Sequence, residues 1–215
     1  MPVEAWSRDG IHLLEHQVAP EAIQLVVSTG PLQAPVDVAR LLKGRLQYAM
    51  RTAGLTADFS RKVSLRGIGD NTREIVEQYI RDQLLHTELA DPRYRDALQR
   101  HAFSQPEVDL ETPTETNSGR SWYNLHLVLV TENRFRMGSD MAGRIAHACR
   151  LPSVAKCSVM PDHLHLAVKA DPMRAPDAVA REIQEATARA AGMLGLWKNT
   201  YYVGTFGEYG MGAVR

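Results

Sequence analysis

The stretch Val159-Met160-Pro161-Asp162-His163-Leu164-His165-Leu166-Ala167-Val168 contains two histidines separated by a single leucine. Side chains of a β-strand alternate between its two faces, so His163 and His165 project from one face while the neighbouring apolar residues point into a core. Neutral imidazole nitrogens are good ligands for divalent metals, and a strand holds two of them close together. The stretch predicts a strand with a metal-binding face, although two ordinary half-exposed histidines give the same pattern.

The composition is that of an ordinary globular protein without a strong charge. Of 215 residues 44% are hydrophobic, and 25 Lys and Arg residues balance 25 Asp and Glu residues. One large or two small domains are therefore expected, and contact with nucleic acid must come from a local patch. Cys149 and Cys157 favour a reduced cytoplasmic protein over a disulfide scaffold, and no apolar run is long enough to predict a membrane span.

Two segments of the chain resemble each other. Residues 18–40 and 159–181 align without a gap and are identical at ten of 23 positions. A period of about 140 residues is too long for a solenoid and predicts two related domains. The first copy has Ala22 and Gln24 where the second has His163 and His165. Only the second copy therefore has the predicted metal pair.

The first copy continues into a helix with a candidate nucleophile. A helix over 34–50 and a strand over 63–68 precede a capping-box pattern formed by Asn71 and Glu74, which predicts a second helix start. On this second helix Tyr79 and Gln83 are four residues apart and share one face. A predicted buried stripe accompanies them and consists of Ile75, Val76, Ile80 and Leu84.

The domain boundary is predicted in a polar segment. Residues 104–119 have linker composition, which separates a first half over 1–103 from a second half over 120–215. In the second half the pattern predicts strands over 122–130, 154–159 and 202–206 and helices over 141–150 and 177–194. No second tyrosine helix is expected after these elements, so Tyr201, Tyr202 and Tyr209 are poor candidates for a nucleophile.

Several of these motifs resemble one family. The run Met160-Pro161-Asp162-His163-Leu164-His165-Leu166 is similar to the signature strand of the single-tyrosine HUH transposases of the insertion-sequence 200/605 type. The run His126-Leu127-Val128-Leu129-Val130-Thr131-Glu132-Asn133-Arg134 resembles the first strand of that family and its Thr-Lys-x-Arg ending, although Glu132 stands where lysine is usual. The run Tyr79-Ile80-Arg81-Asp82-Gln83 resembles the Tyr-Ile-x-x-Gln motif, and the run from Tyr201 to Gly207 resembles the last strand.

The resemblance implies a transposase that cuts and rejoins single-stranded DNA through a 5′-phosphotyrosine link. It implies Tyr79 as the nucleophile and Mg²⁺ or Mn²⁺ bound by His163, His165 and Gln83. The expected fold is α/β of the α+β kind: two ferredoxin-like or RRM-like halves, with antiparallel sheets and helices on one face, in a pseudo-twofold arrangement. The first half has the tyrosine helix but no histidine pair, and the second half has the histidine pair but no tyrosine helix. We therefore expect a fused pseudo-dimer with one composite site.

Two other functions remain open at this stage. A domesticated protein that binds hairpin DNA without cutting it would retain the same motifs, and metal-dependent cleavage with a covalent adduct separates these two possibilities. An RRM-like RNA binder would expose aromatic residues on central strands, for which Tyr123 and Tyr202 are the candidates. The expected partner is single-stranded or hairpin DNA, with no membrane, and a further homodimer is left open.

Overall fold

The computed structural model of the protein describes residues 7, 9–56, 58–89, 91–117 and 119–208. These residues form a mixed α+β fold with mainly antiparallel sheets, which confirms the predicted fold class. The elements in chain order are β1 (Ile11–Ala19), β2 (Ala22–Thr29), α1 (Pro35–Thr52), β3 (Val63–Arg66), α2 (Arg73–Asp82), α3 (Pro92–His101), β4 (Phe103–Ser104), β5 (Thr114–Thr116), β6 (Gly119–Trp122), β7 (Asn124–Thr131), a 3₁₀ helix (Glu132–Arg134), α4 (Ser139–Ala148), β8 (Val154–Val159), β9 (His163–Lys169), α5 (Pro176–Ala191) and β10 (Trp197–Phe206). None of the helices in the described ranges is long and apolar enough to cross a membrane.

The largest sheet has five antiparallel strands in the order β10-β7-β9-β8-β4. One of its faces is apolar because leucines occupy alternate positions of two inner strands, β7 and β9. Leu125, Leu127 and Leu129 of β7 and Leu164 and Leu166 of β9 are all buried there. These side chains and those of α4 and α5 belong to the main hydrophobic core.

Helix α2 lies over the opposite face of this sheet. Its buried residues Val76 and Ile80 pack with Ala167 of β9 and Phe206 of β10. The predicted buried stripe is therefore confirmed at these two positions and at Leu84, which is buried in the main core, but Ile75 is 53% exposed and does not belong to it. Covering this face brings the tyrosine helix onto the same surface as the histidine side chains.

Helix α2 begins one residue later than the capping pattern predicts. Its N-cap is Thr72, whose side-chain oxygen accepts a hydrogen bond from the backbone N–H of Ile75 at 3.5 Å. Asn71 instead accepts a backbone hydrogen bond from Gly207 through its carbonyl oxygen. Threonine and asparagine are both suitable N-caps, so the sequence did not distinguish these adjacent residues.

Two glycines allow the close approaches that position the segment before α2. Strand β3 pairs in parallel with β6 in a three-stranded sheet, and a side chain at Gly119 (φ 139°) would collide with the carbonyl of Val63. Further on, a side chain at Gly69 would collide with the carbonyl of Thr205. The Thr205 hydroxyl also donates a hydrogen bond to the carbonyl of Ile68. The segment leading into α2 is thus held against the end of β10.

The two similar segments contain the same succession of elements. In the ungapped alignment, the first residue of β2 corresponds to the first residue of β9, and α1 and α5 both begin at an aligned proline, Pro35 and Pro176. Strands β1 and β2 form a separate two-stranded sheet. They pack on α1 in a small cluster of their own, formed by Ile11, Val38, Leu42 and Leu46.

A reciprocal pair of hydrogen bonds joins these two segments. The N–H of Val36 donates to the carbonyl of Pro172 at 3.1 Å, and the N–H of Asp177 donates to the carbonyl of Pro31 at 2.9 Å. Val36 aligns with Asp177, and Pro31 aligns with Pro172. Each segment therefore donates one hydrogen bond to the other and accepts the equivalent bond from it, as residues related by a twofold axis do.

Elements on both sides of residue 104 contribute to the main core. Leu98 of α3 is buried in that core and Phe103 of β4 packs against it, although both precede the predicted linker. Within 104–119 the chain forms β5, which pairs with β6. The division into 1–103, 104–119 and 120–215 stays a prediction about domain organisation.

Candidate active site

His163 and His165 lie side by side on β9, on the face opposite the main core. Strand β9 is flanked by β7 and β8, so its backbone is held on both sides. The two rings meet edge to face with centroids 5.0 Å apart. The side chain of His163 is 23% exposed, whereas His165 is only 4% exposed. His165 is thus a buried polar residue, which the pattern of a half-exposed pair did not predict.

A third histidine on β7 completes this cluster. The ring of His126 stacks on that of His165 with centroids 5.5 Å apart, and His126 Nε2 is 3.2 Å from His165 Nδ1. In such a pair of neutral rings one nitrogen donates and the other accepts. Sequence reasoning placed His126 in a motif but gave it no role. The alternation of β7 was a usable signal, since Leu125, Leu127 and Leu129 face the core and His126 faces away from them.

Burial keeps two of these histidines neutral. Loss of solvent contact lowers the pKa of His126 to about 4. Burial, together with the neighbouring His163 and His126, lowers the pKa of His165 to about 3. Both rings are therefore uncharged at neutral pH. An uncharged imidazole has the free lone pair that a metal ion requires.

The carboxylate of Asp162 holds the ring of His163 in place. Asp162 Oδ1 lies 2.6 Å from His163 Nδ1, while Oδ2 accepts a hydrogen bond from Arg134 Nη1 at 3.1 Å. The backbone N–H and the hydroxyl of Thr131 both donate to the Asp162 carbonyl at 2.9 Å. Although partial burial opposes ionisation of Asp162, the hydrogen bonds from His163 and Arg134 outweigh it and lower the pKa of the carboxyl. A charged carboxylate therefore orients His163.

The turn after β7 has an unusual backbone. Asn133 (φ 51°) and Arg134 (φ 55°) both adopt the left-handed conformation, which is strained for residues other than glycine. The strained turn brings the Arg134 side chain to Asp162. Thr131 and Arg134, at the end of the run from His126 to Arg134, thus both position Asp162, which orients His163.

Tyr79 of helix α2 lies against two of the histidines. Its ring meets the ring of His165 edge to face, with centroids 5.4 Å apart, and the ring of His126 in the same way, with centroids 5.8 Å apart. The side chain is 50% exposed, and its hydroxyl makes no hydrogen bond within the described ranges. The structure thus brings Tyr79, His163 and His165 together on one surface, with a free hydroxyl.

Gln83 lies directly after the last residue of α2 and contacts the backbone of Tyr79. Its side-chain NH₂ group donates to the Tyr79 carbonyl at 3.2 Å, which leaves the amide oxygen available as an acceptor. Among the residues that the structure describes, no hydrogen bond joins Gln83 to a histidine. Its predicted role as a metal ligand stays a prediction.

The donor chemistry of His163 and His165 fits a divalent ion. Each Nδ1 atom is engaged, by Asp162 or by His126, while neither Nε2 atom forms a hydrogen bond in the part of the chain described here. Metal-binding histidines commonly use their second nitrogen in this way. No three His, Cys, Asp or Glu side chains of the described residues are arranged to hold an ion. A third donor must therefore be of another kind, such as an amide oxygen or water.

The other tyrosines named from the sequence have different environments. Tyr201 donates a hydrogen bond to Asp177, and Tyr123 is buried. Tyr202 is 56% exposed on β10 and meets the ring of His126 at a centroid distance of 5.5 Å. Tyr209 lies outside the described residues.

Comparison with known proteins gives no assignment. The sequence matches no protein-family model, and no curated protein matches it. Function must therefore be inferred from the side chains described above.

Proposed function

We propose that the protein is a single-stranded DNA endonuclease and strand transferase, a transposase-like enzyme that works through a 5′-phosphotyrosine intermediate. One observation carries the proposal: the Tyr79 ring lies 5.4 Å from the ring of His165, which comes from a distant part of the chain. A half-exposed tyrosine with a free hydroxyl beside neutral histidines is the arrangement that nucleophilic attack on a bound phosphodiester requires.

Tyr79 is the nucleophile in this proposal. Its oxygen attacks phosphorus, a bond from the tyrosine oxygen to phosphorus forms, and the bond to the 3′ oxygen of the DNA breaks. The hydroxyl proton is lost to water, and the departing 3′ oxygen takes up a proton. The products are a 5′-phosphotyrosine and a free 3′-hydroxyl, and the reverse reaction with another 3′-hydroxyl rejoins the strand.

His163 and His165 would hold Mg²⁺ or Mn²⁺ through their Nε2 atoms, with the amide oxygen of Gln83 as the proposed third donor. When bound, the ion supplies charge that polarises the phosphodiester and stabilises the negative charge developing on its oxygens. Asp162 and His126 hold the two rings in orientation. The buried position of His165 keeps its ring from rotating away between turnovers.

The second candidate is a protein that binds hairpin DNA without cutting it. It is favoured by the lack, among the described residues, of three His, Cys, Asp or Glu side chains arranged around an ion. In this case the tyrosine and histidines would be relics of an ancestral enzyme, and the protein would act as a regulator or structural partner of DNA.

A covalent adduct distinguishes the two candidates. The full chain is incubated with Mn²⁺ and labelled single-stranded oligonucleotides taken from the sequences that flank its own gene. The enzyme proposal expects a protein–DNA band that survives denaturation, requires the metal and is absent with Tyr79→Phe. Tyr48→Phe is the matched control, because Tyr48 is an exposed helix tyrosine on α1. Binding of the oligonucleotides with no adduct under any metal condition would support the non-cutting protein instead.

A further inference from the structure

A single exposed aromatic side chain adjoins the candidate active site on its β10 side. Tyr202 pairs with Val128 of β7 in the antiparallel register, and Gly204 pairs with His126. Directly opposite residues of antiparallel strands project to the same face. Tyr202 therefore lies on the histidine face of the sheet, and its ring contacts the ring of His126, which in turn contacts the ring of Tyr79.

The ring of Tyr202 lies over the backbone of Gly204. A Cβ atom on Gly204 would be 2.6 Å from the Tyr202 hydroxyl oxygen and 3.1 Å from Cζ, so a larger residue would displace the ring. Because one side of the ring is covered by the strand and the side chain is still 56% exposed, its other side faces solvent. A flat aromatic surface of this kind is what a nucleobase stacks on.

A cavity of about 230 Å³ adjoins this ring. It is lined on one side by Tyr202 and His126 and on the other by Gly69, Asp70 and Asn71, in the segment leading into α2. This volume is below that of pockets for drug-sized ligands and suits a single small ring system. Asp70 and Asn71 provide polar groups of the kind that hydrogen-bond to the edge of a base.

We propose that Tyr202 and this cavity bind one unpaired nucleobase of the DNA strand, that of a nucleotide next to the phosphate attacked by Tyr79. The inference rests on the proposed function and adds a base-binding site to it. His126 lies between the two tyrosines, with ring-centroid distances of 5.8 Å to Tyr79 and 5.5 Å to Tyr202. One nucleotide is long enough to place its phosphate at the first tyrosine and its base on the second.

Binding is measured with the full chain carrying Tyr79→Phe, so that no cleavage intervenes. The probes are fluorescein-labelled oligonucleotides from the flanks of the gene. We expect Tyr202→Ala to weaken binding about fivefold to a hundredfold, Tyr202→Phe to retain it, and Gly204→Ala to weaken it by displacing the ring. Tyr48→Ala is the control for removing an exposed tyrosine. Thermal unfolding of each variant separates lost folding from lost stacking.

Position along the DNA is tested with two further measurements. A 5-iododeoxyuridine placed next to the cleavage position should cross-link to Tyr202 on irradiation, as identified by mass spectrometry. On an oligonucleotide that lacks the base of that one nucleotide, the Tyr202→Ala variant and the protein with Tyr202 should bind equally well. Equal binding by Tyr202→Ala and Tyr202→Phe on the intact strand, both in the Tyr79→Phe background, would overturn this inference alone if the chain with Tyr79 in place forms the adduct. A protein that neither binds these strands nor forms an adduct would overturn both proposals.

Discussion

The rings of Tyr79 and His165 meet edge to face, with 5.4 Å between their centroids, although the two residues belong to different segments of the chain. Tyr79 reaches this position because α2 packs through Val76 and Ile80 on the face of the sheet that bears the histidines. One folded chain therefore contains both the proposed nucleophile and the residues proposed to bind metal.

Replacing the Tyr79 hydroxyl tests the nucleophile. We expect Tyr79→Phe to reduce adduct formation at least a thousandfold, since no other group replaces the attacking oxygen. The free energy of unfolding should change by less than about 0.5 kcal/mol, because the hydroxyl is outside the core. Adduct is measured on denaturing gels and stability by urea titration. Tyr48→Phe should leave both unchanged, and an adduct that persists in Tyr79→Phe would contradict the assignment.

The two histidines proposed to bind metal should differ in their effect on stability. His165→Ala removes a buried ring and is expected to cost about 1–3 kcal/mol of unfolding free energy. His163→Ala, at a partly exposed position, should cost less than about 1 kcal/mol. Isothermal calorimetry with Mn²⁺ should show loss of the ion site in both variants, and unchanged binding would contradict their role as ligands.

Acidification should destabilise the fold from about pH 6.5 downward. In the unfolded chain His126 and His165 bind protons near the ordinary pKa of about 6.5, whereas burial lowers their pKa in the folded protein to about 4 and 3. Between these limits the unfolded state binds more protons, so the free energy of unfolding falls as the pH falls. With EDTA present we expect a loss on the order of 5 kcal/mol between pH 7 and 4.5, about half of it from each histidine.

The His126→Gln variant serves as the control for this pH dependence. It removes one of the two buried histidines, so its free energy of unfolding should fall less steeply over the same pH range, as measured by urea titration at each pH. A slope identical to that of the unchanged protein would mean that His126 does not contribute.

Mixing two defective proteins tests whether the site is assembled within one chain. Tyr79→Phe and His163→Ala each leave one component intact. Because the two components are joined in a single chain, each variant contains one inactive site, and folded mixtures should form no adduct. Adduct formation on mixing would show that the tyrosine helix pairs with the histidines of a second molecule.

A glycine before the tyrosine helix should affect activity more than its distance from the histidines suggests. A methyl group at Gly69 would collide with the Thr205 carbonyl and displace the segment that leads into α2. We expect Gly69→Ala to reduce adduct formation at least tenfold and to cost about 1–3 kcal/mol of stability. At Gly30 a methyl group would meet no atom within 4 Å, so Gly30→Ala is the control. Equal activity of the two variants would contradict the expectation.

The local parts of this arrangement were predictable from the sequence. Period-two alternation identified the face of β9 that bears His163 and His165, and it gave the bounds of β8 (Val154–Val159) as the structure has them. Spacing of four residues placed Tyr79 and Gln83 on one side of a helix end. Each of these features depends only on neighbouring residues and the geometry of one element.

The non-local parts were not predictable in the same way. The burial of His165 and its pairing with His126 depend on the register of two strands and on α2 covering them, and no short pattern encodes either. The exposure of Ile75 depends on how the helix is rotated when it packs. Strand β5 (Thr114–Thr116) lies in a polar segment and is too short to show alternation.

The reciprocal hydrogen bonds of Val36 with Pro172 and of Asp177 with Pro31 have a consequence for assembly. A contact between two segments of one chain can also form between the corresponding segments of two chains, which is the basis of domain swapping. When Tyr79→Phe and His163→Ala chains are unfolded and refolded together, an exchanged dimer combines the intact tyrosine helix of one chain with the intact histidines of the other. Such a dimer contains one complete site and one that lacks both groups, so activity would reappear in half of the sites of each mixed dimer.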